Sequence, residues 1–242
     1  MKKIPFLSCL FGISFTAISP AVNVLTENFN YPDGAVGTVS GGIWTNHSGT
    51  AGQVNVLSSA IELTSAESED VSARLAAPGL RYNAGIMTAE VDVNFSALPA
   101  GTGAYFFHFR DFTTGFRGRV WATVTDAVAG SYRLGISNST AVFNAIATDF
   151  ALGTTQKLLV TLDVVTGISS LSINGGAATT ATDASTPILV ESIAFRQSLA
   201  TGNGMGTLTA DNLRVDASAV PVPEPSTGLF GLLALGLLRR RR

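Results

Sequence analysis

Ile86-Met-Thr-Ala-Glu-Val-Asp-Val-Asn-Phe95 alternates apolar and polar residues along its length. In an extended chain, side chains two apart point to one face. The stretch therefore reads as a strand with one face in a core and the other in water. That reading sets the period in which the rest of the chain is parsed.

Working outward, Tyr105-Phe-Phe-His-Phe-Arg110 and Phe116-Arg-Gly-Arg-Val-Trp-Ala-Thr-Val124 are two further runs, joined by the hairpin loop Asp111-Phe-Thr-Thr-Gly115. A run over 132–136 follows. Runs at 157–164 and 168–173 flank the turn Val165-Thr-Gly167, and Asn174-Gly175 closes the second of them. Two more, at 188–196 and 207–215, complete the set. Short runs broken by Gly, Asn and Asp predict an all-β antiparallel sandwich over 22–217, with no helix and no internal repeat. The proline-rich segment 221–225 marks a boundary, leaving 218–242 as a separate tail.

Leu159-Val-Thr-Leu-Asp163, Gly167 and Leu171-Ser-Ile-Asn-Gly175 form a strand, turn, strand and Asn-Gly series that resembles the laminin-G-like or concanavalin-like jelly roll. Glu27-Asn-Phe-Asn-Tyr31 and Ala210-Asp-Asn-Leu-Arg-Val215 are similar to its first and last strands, which the resemblance implies lie side by side. That superfamily holds sugar-binding modules, adhesion domains and glycosidases, so the fold alone selects no function.

The two ends carry a different message. Lys2 and Lys3, the apolar stretch 4–18 and Ser19-Pro-Ala21 read as a signal peptide over 1–21, cut by signal peptidase after Ala21. Cys9 is the one cysteine and falls in that leader, so the mature chain has no disulfide, thiolate metal site or cysteine nucleophile. At the other end, Val220-Pro-Val-Pro-Glu-Pro-Ser-Thr-Gly228 precedes an apolar run with Leu229, Phe230, Leu232, Leu233, Leu235, Leu237 and Leu238, then Arg239, Arg240, Arg241 and Arg242. An apolar run partitions into lipid while terminal arginines stay on the cytoplasmic side.

Pro223-Glu224-Pro225, the apolar stretch and the arginine cluster together resemble the PEP-CTERM sorting signal of Gram-negative envelope proteins. The resemblance implies exosortase, a membrane cysteine protease, as processing partner. It also implies a short C-terminal hydrophobic helix held transiently in the inner membrane, and release to the cell surface or extracellular matrix. As a helix, 226–238 would span only roughly 20 Å at about 1.5 Å per residue, against about 30 Å of hydrocarbon. The segment therefore suits a transient anchor.

The chain has 15 Lys and Arg and 17 Asp and Glu. Two lysines lie in the leader and four arginines at the end, which leaves nine against 17 and a charge of about −8 between them. An acidic body argues against nucleic acid as a partner.

Three constellations in the body bear on chemistry. A glycosidase on this fold commonly uses Glu-x-Asp-x-x-Glu; Glu90 and Asp92 begin the pattern, but Phe95 stands where the second glutamate belongs. The body is accordingly expected to be no enzyme, with a divergent hydrolase or lyase, or a purely structural matrix protein, as alternatives. Strict alternation puts Tyr105, Phe107 and Phe109 on one face of their strand and Phe106, His108 and Arg110 on the other. Arg117, Arg119 and Trp121 share a face of the returning strand. Paired, His108, Arg110, Arg117, Arg119 and Trp121 would make a carbohydrate-binding face, the indole stacking on a sugar ring and the arginines donating to hydroxyls or uronate carboxylates. The alternative makes Trp121 core and pairs the arginines with Asp92 or Asp111. No cofactor is expected beyond a structural calcium ion, for which Asp211 is the candidate, with carbonyls near Glu27 and Asp33. His47 and His108 are too few and too far apart in sequence for a metal cluster, and the sequons at Asn46, Asn94 and Asn138 carry little weight in a bacterial export.

Overall fold

The computed structural model describes residues 20–111, 115–139, 142–182, 188–198 and 202–223. The leader up to residue 19 and the tail from Glu224 onward, with Pro225, the apolar run and Arg239 to Arg242, lie outside the described residues.

In chain order the first strands are β1 (Val22–Glu27), β2 (Gly34–Ala35), β3 (Trp44–Ser48), β4 (Asn55–Leu57), β5 (Ala60–Thr64), β6 (Asp70–Arg74) and β7 (Leu80–Arg81). There follow β8 (Ile86–Ala97), β9 (Ala104–Arg110), β10 (Phe116–Thr123), β11 (Ser131–Ser137), β12 (Asn144–Ala145) and β13 (Phe150–Ala151). The last are β14 (Thr155–Asp163), β15 (Ile168–Ile173), β16 (Thr179–Thr182), β17 (Ser192–Arg196), β18 (Thr207–Ala217) and β19 (Val222–Pro223). A single helical turn, α1 (Val36–Val39), buries Val36 and departs from the expectation of a helix-free body.

The strands form two large antiparallel sheets. One runs β16-β15-β14-β8-β18-β5-β4-β2, with β1 also on β18; the other runs β12-β11-β10-β9-β17-β6-β3, with β13 on β11. The alternation that defined the 86–95 stretch is seen in β8, where Met87, Ala89, Val91, Val93 and Phe95 are all buried. Facing them from the second sheet are Phe106, Phe107, Phe109, Val120, Leu134 and Phe195. Each such side chain taken fully out of water contributes about 1.5–3 kcal/mol, and this core alone holds a chain without disulfides. β1 pairs with β18 from Val22 opposite Ala217 to Glu27 opposite Leu213, so the first and last long strands are neighbours, as the resemblance implied. The fold is an all-β antiparallel sandwich of the jelly-roll kind.

After β18 the chain stays on the body. Ser218 N–H donates to the Ile86 carbonyl at 3.0 Å, and β19 then pairs with β7, Val222 opposite Arg81 and Pro223 opposite Leu80.

Candidate functional site

The candidate residues lie on the outer face of the second sheet, turned away from the core, where Arg110 and Arg119 are nevertheless buried. Its geometry depends on an irregularity between β9 and β10: Arg117 lies opposite Phe109, Val120 opposite Phe107 and Trp121 opposite Tyr105, with register shifts on both sides of Val120. Extra residues of this kind re-aim side chains and break strict alternation. Phe106 turns inward onto Phe95, ring centroids 5.6 Å apart, and Phe107 onto Phe195 at 5.1 Å. Tyr105 turns outward, 5.4 Å from His108 and 5.4 Å from Trp121. The expectation that Tyr105 shares the face of Phe107 and Phe109, with Phe106 beside His108, is thereby corrected.

Gly118 makes the shift possible. Its φ is +57°, a region that side chains other than glycine rarely enter. A Cβ there would stand 3.3 Å from Phe109 Cδ2 and 3.4 Å from Val160 Cγ1. Buried Asn138 holds the bend: its Oδ1 accepts the Gly118 N–H at 2.9 Å, while its Nδ2 donates to the carbonyls of Gly167 at 2.9 Å and Ala181 at 3.0 Å.

Cations and rings meet on this face. Arg196 Cζ lies 4.3 Å and Arg119 Cζ 5.1 Å from the Tyr105 ring centre, and Arg119 is 5.9 Å from that of Trp121. Arg110 Nη1 donates to Ser72 Oγ at 3.3 Å. Arg117 is half-buried and donates from Nη1 to the Phe116 carbonyl at 3.1 Å; it stands outside the row of Arg119 and Trp121 because the shift lies between them. Of the five residues expected together, His108, Arg110, Arg119 and Trp121 share the face and Arg117 borders it. Tyr105, Arg196, Ser72 and Phe143 belong to it as well, and alternation alone did not reach them.

Trp121 is 9% exposed and outside the core cluster. Its Nε1–H donates to Ser137 Oγ at 2.7 Å, and Phe143 stacks on the indole, 4.9 Å between centroids and 9° between planes. The indole is thus a covered ring flanked by Phe143 and Tyr105, not an open platform.

Electrostatics single out His108. It is 1% exposed, and neither ring nitrogen finds a hydrogen-bond partner. Burial first, then His47, Arg110, Arg196 and Arg119, hold its pKa well below the usual histidine range, so the ring is neutral at pH 7. His47, 6.4 Å away between ring centres, is brought down to about 4 by burial and by Arg110. Asp70 moves the other way, pushed up to about 6 by burial. Arg196 Nε is 3.8 Å from Asp70 Oδ2, but that contact is loose and Asp70 Oδ1 is buried with no partner, so desolvation wins over the ion pair.

The remaining candidates lie on the first sheet. Glu90 is exposed, and Asp92 Oδ2 accepts from Asn212 Nδ2 at 3.0 Å. Asp211 feels burial first, then Asp92 and Glu27, which together raise its pKa. Glu27 is committed elsewhere: its carboxylate accepts from Phe29 N–H at 2.7 Å, Tyr31 Oη at 2.7 Å and Trp44 Nε1 at 3.1 Å. Asp33 Oδ1 accepts from Ser58 N–H at 2.9 Å. Among the described residues no three His, Cys, Asp or Glu side chains gather closely enough to hold a metal ion.

Residues 221–242 match the PEP-CTERM protein-sorting motif. No curated protein matches the chain. Among solved structures, a family 7 alginate lyase bound to substrate is 13% identical, with a TM-score of 0.50, and the match covers 78% of this chain and 99% of that one. A carbohydrate esterase from the Shiga toxin-encoding bacteriophage phi24B is 12% identical, with a TM-score of 0.50 and coverage of 83% and 100%. A sialidase matches at 12% identity and a TM-score of 0.47; the chain spans only 19% of its length.

The likenesses to the lyase and the esterase show the fold, and they correct one expectation. The body was expected to be no enzyme because Phe95 replaces the second glutamate after Glu90 and Asp92. That argument tested a single carboxylate-pair scheme, whereas the same sandwich is the fold of a lyase and an esterase. The sorting motif makes the chain an exported, envelope-processed protein with exosortase as its processing partner. Among the described residues no helix is long and apolar enough to cross a membrane.

Proposed function

From the sorting motif at 221–242 we propose that the chain is held in the inner membrane of a Gram-negative cell by its tail, cut by exosortase, and delivered to the cell surface or matrix. There its body engages an acidic polysaccharide on the outer face of the second sheet. The observation that supports the ligand class is the gathering of Arg110, Arg119 and Arg196 around Tyr105 and His108. Between leader and terminal arginines the chain carries about −8, yet three of its nine cations meet at this point. Guanidiniums recognise planar carboxylates through paired hydrogen bonds, which suits uronate residues better than neutral sugars.

The test is retention of the full-length protein on a polyuronate gel against a neutral glucan gel. Retention on the polyuronate that falls with salt and is reduced by Arg119→Ala or Arg196→Ala supports the reading. Equal retention on both gels, or none on either, refutes it.

A second reading, cleavage of that polymer by β-elimination, draws on the neutral His108 beside Tyr105. The burial and neighbouring cations that keep His108 neutral also make it a weak base. It would take the proton beside a uronate carboxylate only once the polymer opened the site, with the Tyr105 phenol supplying one to the leaving oxygen. Appearance of an unsaturated uronate chromophore on incubation with polyuronate, lost in His108→Gln, would establish it.

A further inference from the structure

One rim of the first sheet gathers exposed aliphatic side chains where the tail departs. Across β1, β18, β8, β14 and β15 the pairing runs Val22, Ala217, Met87, Leu162, Ser169 as one row. Val22 itself, and Ile86, Val165, Ile168 and Val220 just beyond the row, are between 42% and 80% exposed. They are five of the ten large hydrophobic side chains that the described residues expose. Exposed aliphatics scattered singly need no explanation, whereas a group on one edge marks a contact surface. Four strand spacings of about 4.8 Å make this edge roughly 19 Å wide.

The chain's route says what covers it. Residues 218–223 are tied to the same rim: Ile86 N–H donates to Ser218 Oγ at 2.7 Å, and Pro223 is the last residue paired, opposite Leu80. From Pro223 to Leu229 are six residues, at most roughly 20 Å even when fully extended. The chain length therefore puts the start of the apolar run 229–238 within about 20 Å of Pro223, a reach that includes this rim. Val22, the first residue after the expected leader cleavage, stands opposite Ala217, so the amino-terminal end leaves from the same place.

Two of the three carboxylates near the rim are paired with arginines, although the body is acidic. Asp163 Oδ1 accepts the N–H groups of Val165 and Thr166 at 2.9 and 3.1 Å. Asp216 takes Arg214 Nε at 2.9 Å and Asn23 Nδ2 at 3.1 Å. Arg81 pairs with Glu191 at 3.3 Å. Asp216 and Glu191 are thus paired with arginines, which offsets their repulsion from anionic headgroups, while Asp163 keeps its charge.

We propose that the rim formed by Val22, Ile86, Val165, Ile168 and Val220 rests on the lipid surface of the bilayer that holds the tail, so that the body awaits processing end-on, with its sheets standing away from the membrane. This rests on the reading that 229–238 is lipid-inserted before exosortase acts. Aliphatic side chains entering the headgroup region add a second, weak attachment to a tail too short for a permanent span.

The test uses the full-length chain in a Cys9→Ser background, inserted into phosphatidylethanolamine–phosphatidylglycerol vesicles. An environment-sensitive fluorophore is placed singly at Val165→Cys, Leu152→Cys or Ala234→Cys. Leu152 is the control because it lies near the opposite ends of β8 and β14, where Gly153 N–H donates to the Phe95 carbonyl. The rim label is expected to move to the blue and to be quenched by headgroup-region nitroxide lipid. The Leu152 label should stay water-like, and the Ala234 label should be quenched by deep nitroxides. A quenched Ala234 label with a water-like Val165 label overturns the rim and leaves the tail reading intact. An unquenched Ala234 label overturns both. Protection at Val165 that appears only on addition of exosortase assigns the rim to that protein and overturns the lipid contact.

Discussion

Phe143 lies flat on Trp121, the two rings 9° apart in plane and 4.9 Å between centroids. A stacked sugar would need the face that Phe143 occupies. Removing it by Phe143→Ala loses an aromatic pair worth about 0.5–1.5 kcal/mol but uncovers the indole. The expected outcome is a slightly less stable protein with tighter polyuronate retention, while Trp121→Ala weakens retention. Equal weakening by both variants, measured on the same gel, would mean that the pair is only structural.

Asp70 gives the site a dependence on pH. Its carboxyl is pushed up to about 6, so the folded protein holds the proton more tightly than the unfolded chain. The resulting stabilisation is complete below about pH 4 and is lost as pH rises through about 6. Asp70→Asn has nothing to titrate there. Between pH 4 and 7 it should gain on the wild type by up to about 3 kcal/mol, since each tenfold change in proton affinity is worth about 1.4 kcal/mol. Urea midpoints of the two proteins at both pH values measure this, and parallel curves would contradict the burial of Asp70.

His108 works in the opposite direction within the same face. Its pKa lies well below the usual range of histidine, so the stability it carries is present above about pH 6.5 and is lost on acidification. His108→Gln should lose less stability than the wild type between pH 7 and 5. If the wild type and variant lose the same amount in thermal melts across that interval, the ring is not held neutral by its surroundings.

The long strands were legible because burial on one face leaves a period of two in the sequence, as Met87 to Phe95 show. The neighbourhood of first and last strands was legible only through resemblance, since no local pattern reports a pairing such as Val22 with Ala217. The site was half legible. His108, Arg110, Arg119 and Trp121 followed from alternation, but Tyr105 did not, because Gly118 shifts the register between its strand and β10. Phe143 comes from a segment with no period at all. The one clue to the shift was a glycine between Arg117 and Arg119. Gly118→Ala should therefore cost about 1–2 kcal/mol through the forced positive φ and reduce polyuronate retention. A full-strength site in that variant would show that the register does not set it.

Glu224 offers the last prediction, because it separates delivery from the chemistry of the body. It follows Pro223, which pairs with Leu80 at the edge of the folded body, and it precedes Pro225 within the matched motif. Proline fixes φ and disfavours helix in the residue before it, which suits an extended segment that a protease can enter. Glu224→Ala changes no side chain of either large sheet, so the thermal melt should be that of the wild type. The intact mass of the wild type from its host should end near 223–225 only when exosortase is present, and that of Glu224→Ala should still end at Arg242. A variant that is cut normally would separate the glutamate from recognition and leave the prolines and the apolar run to carry it.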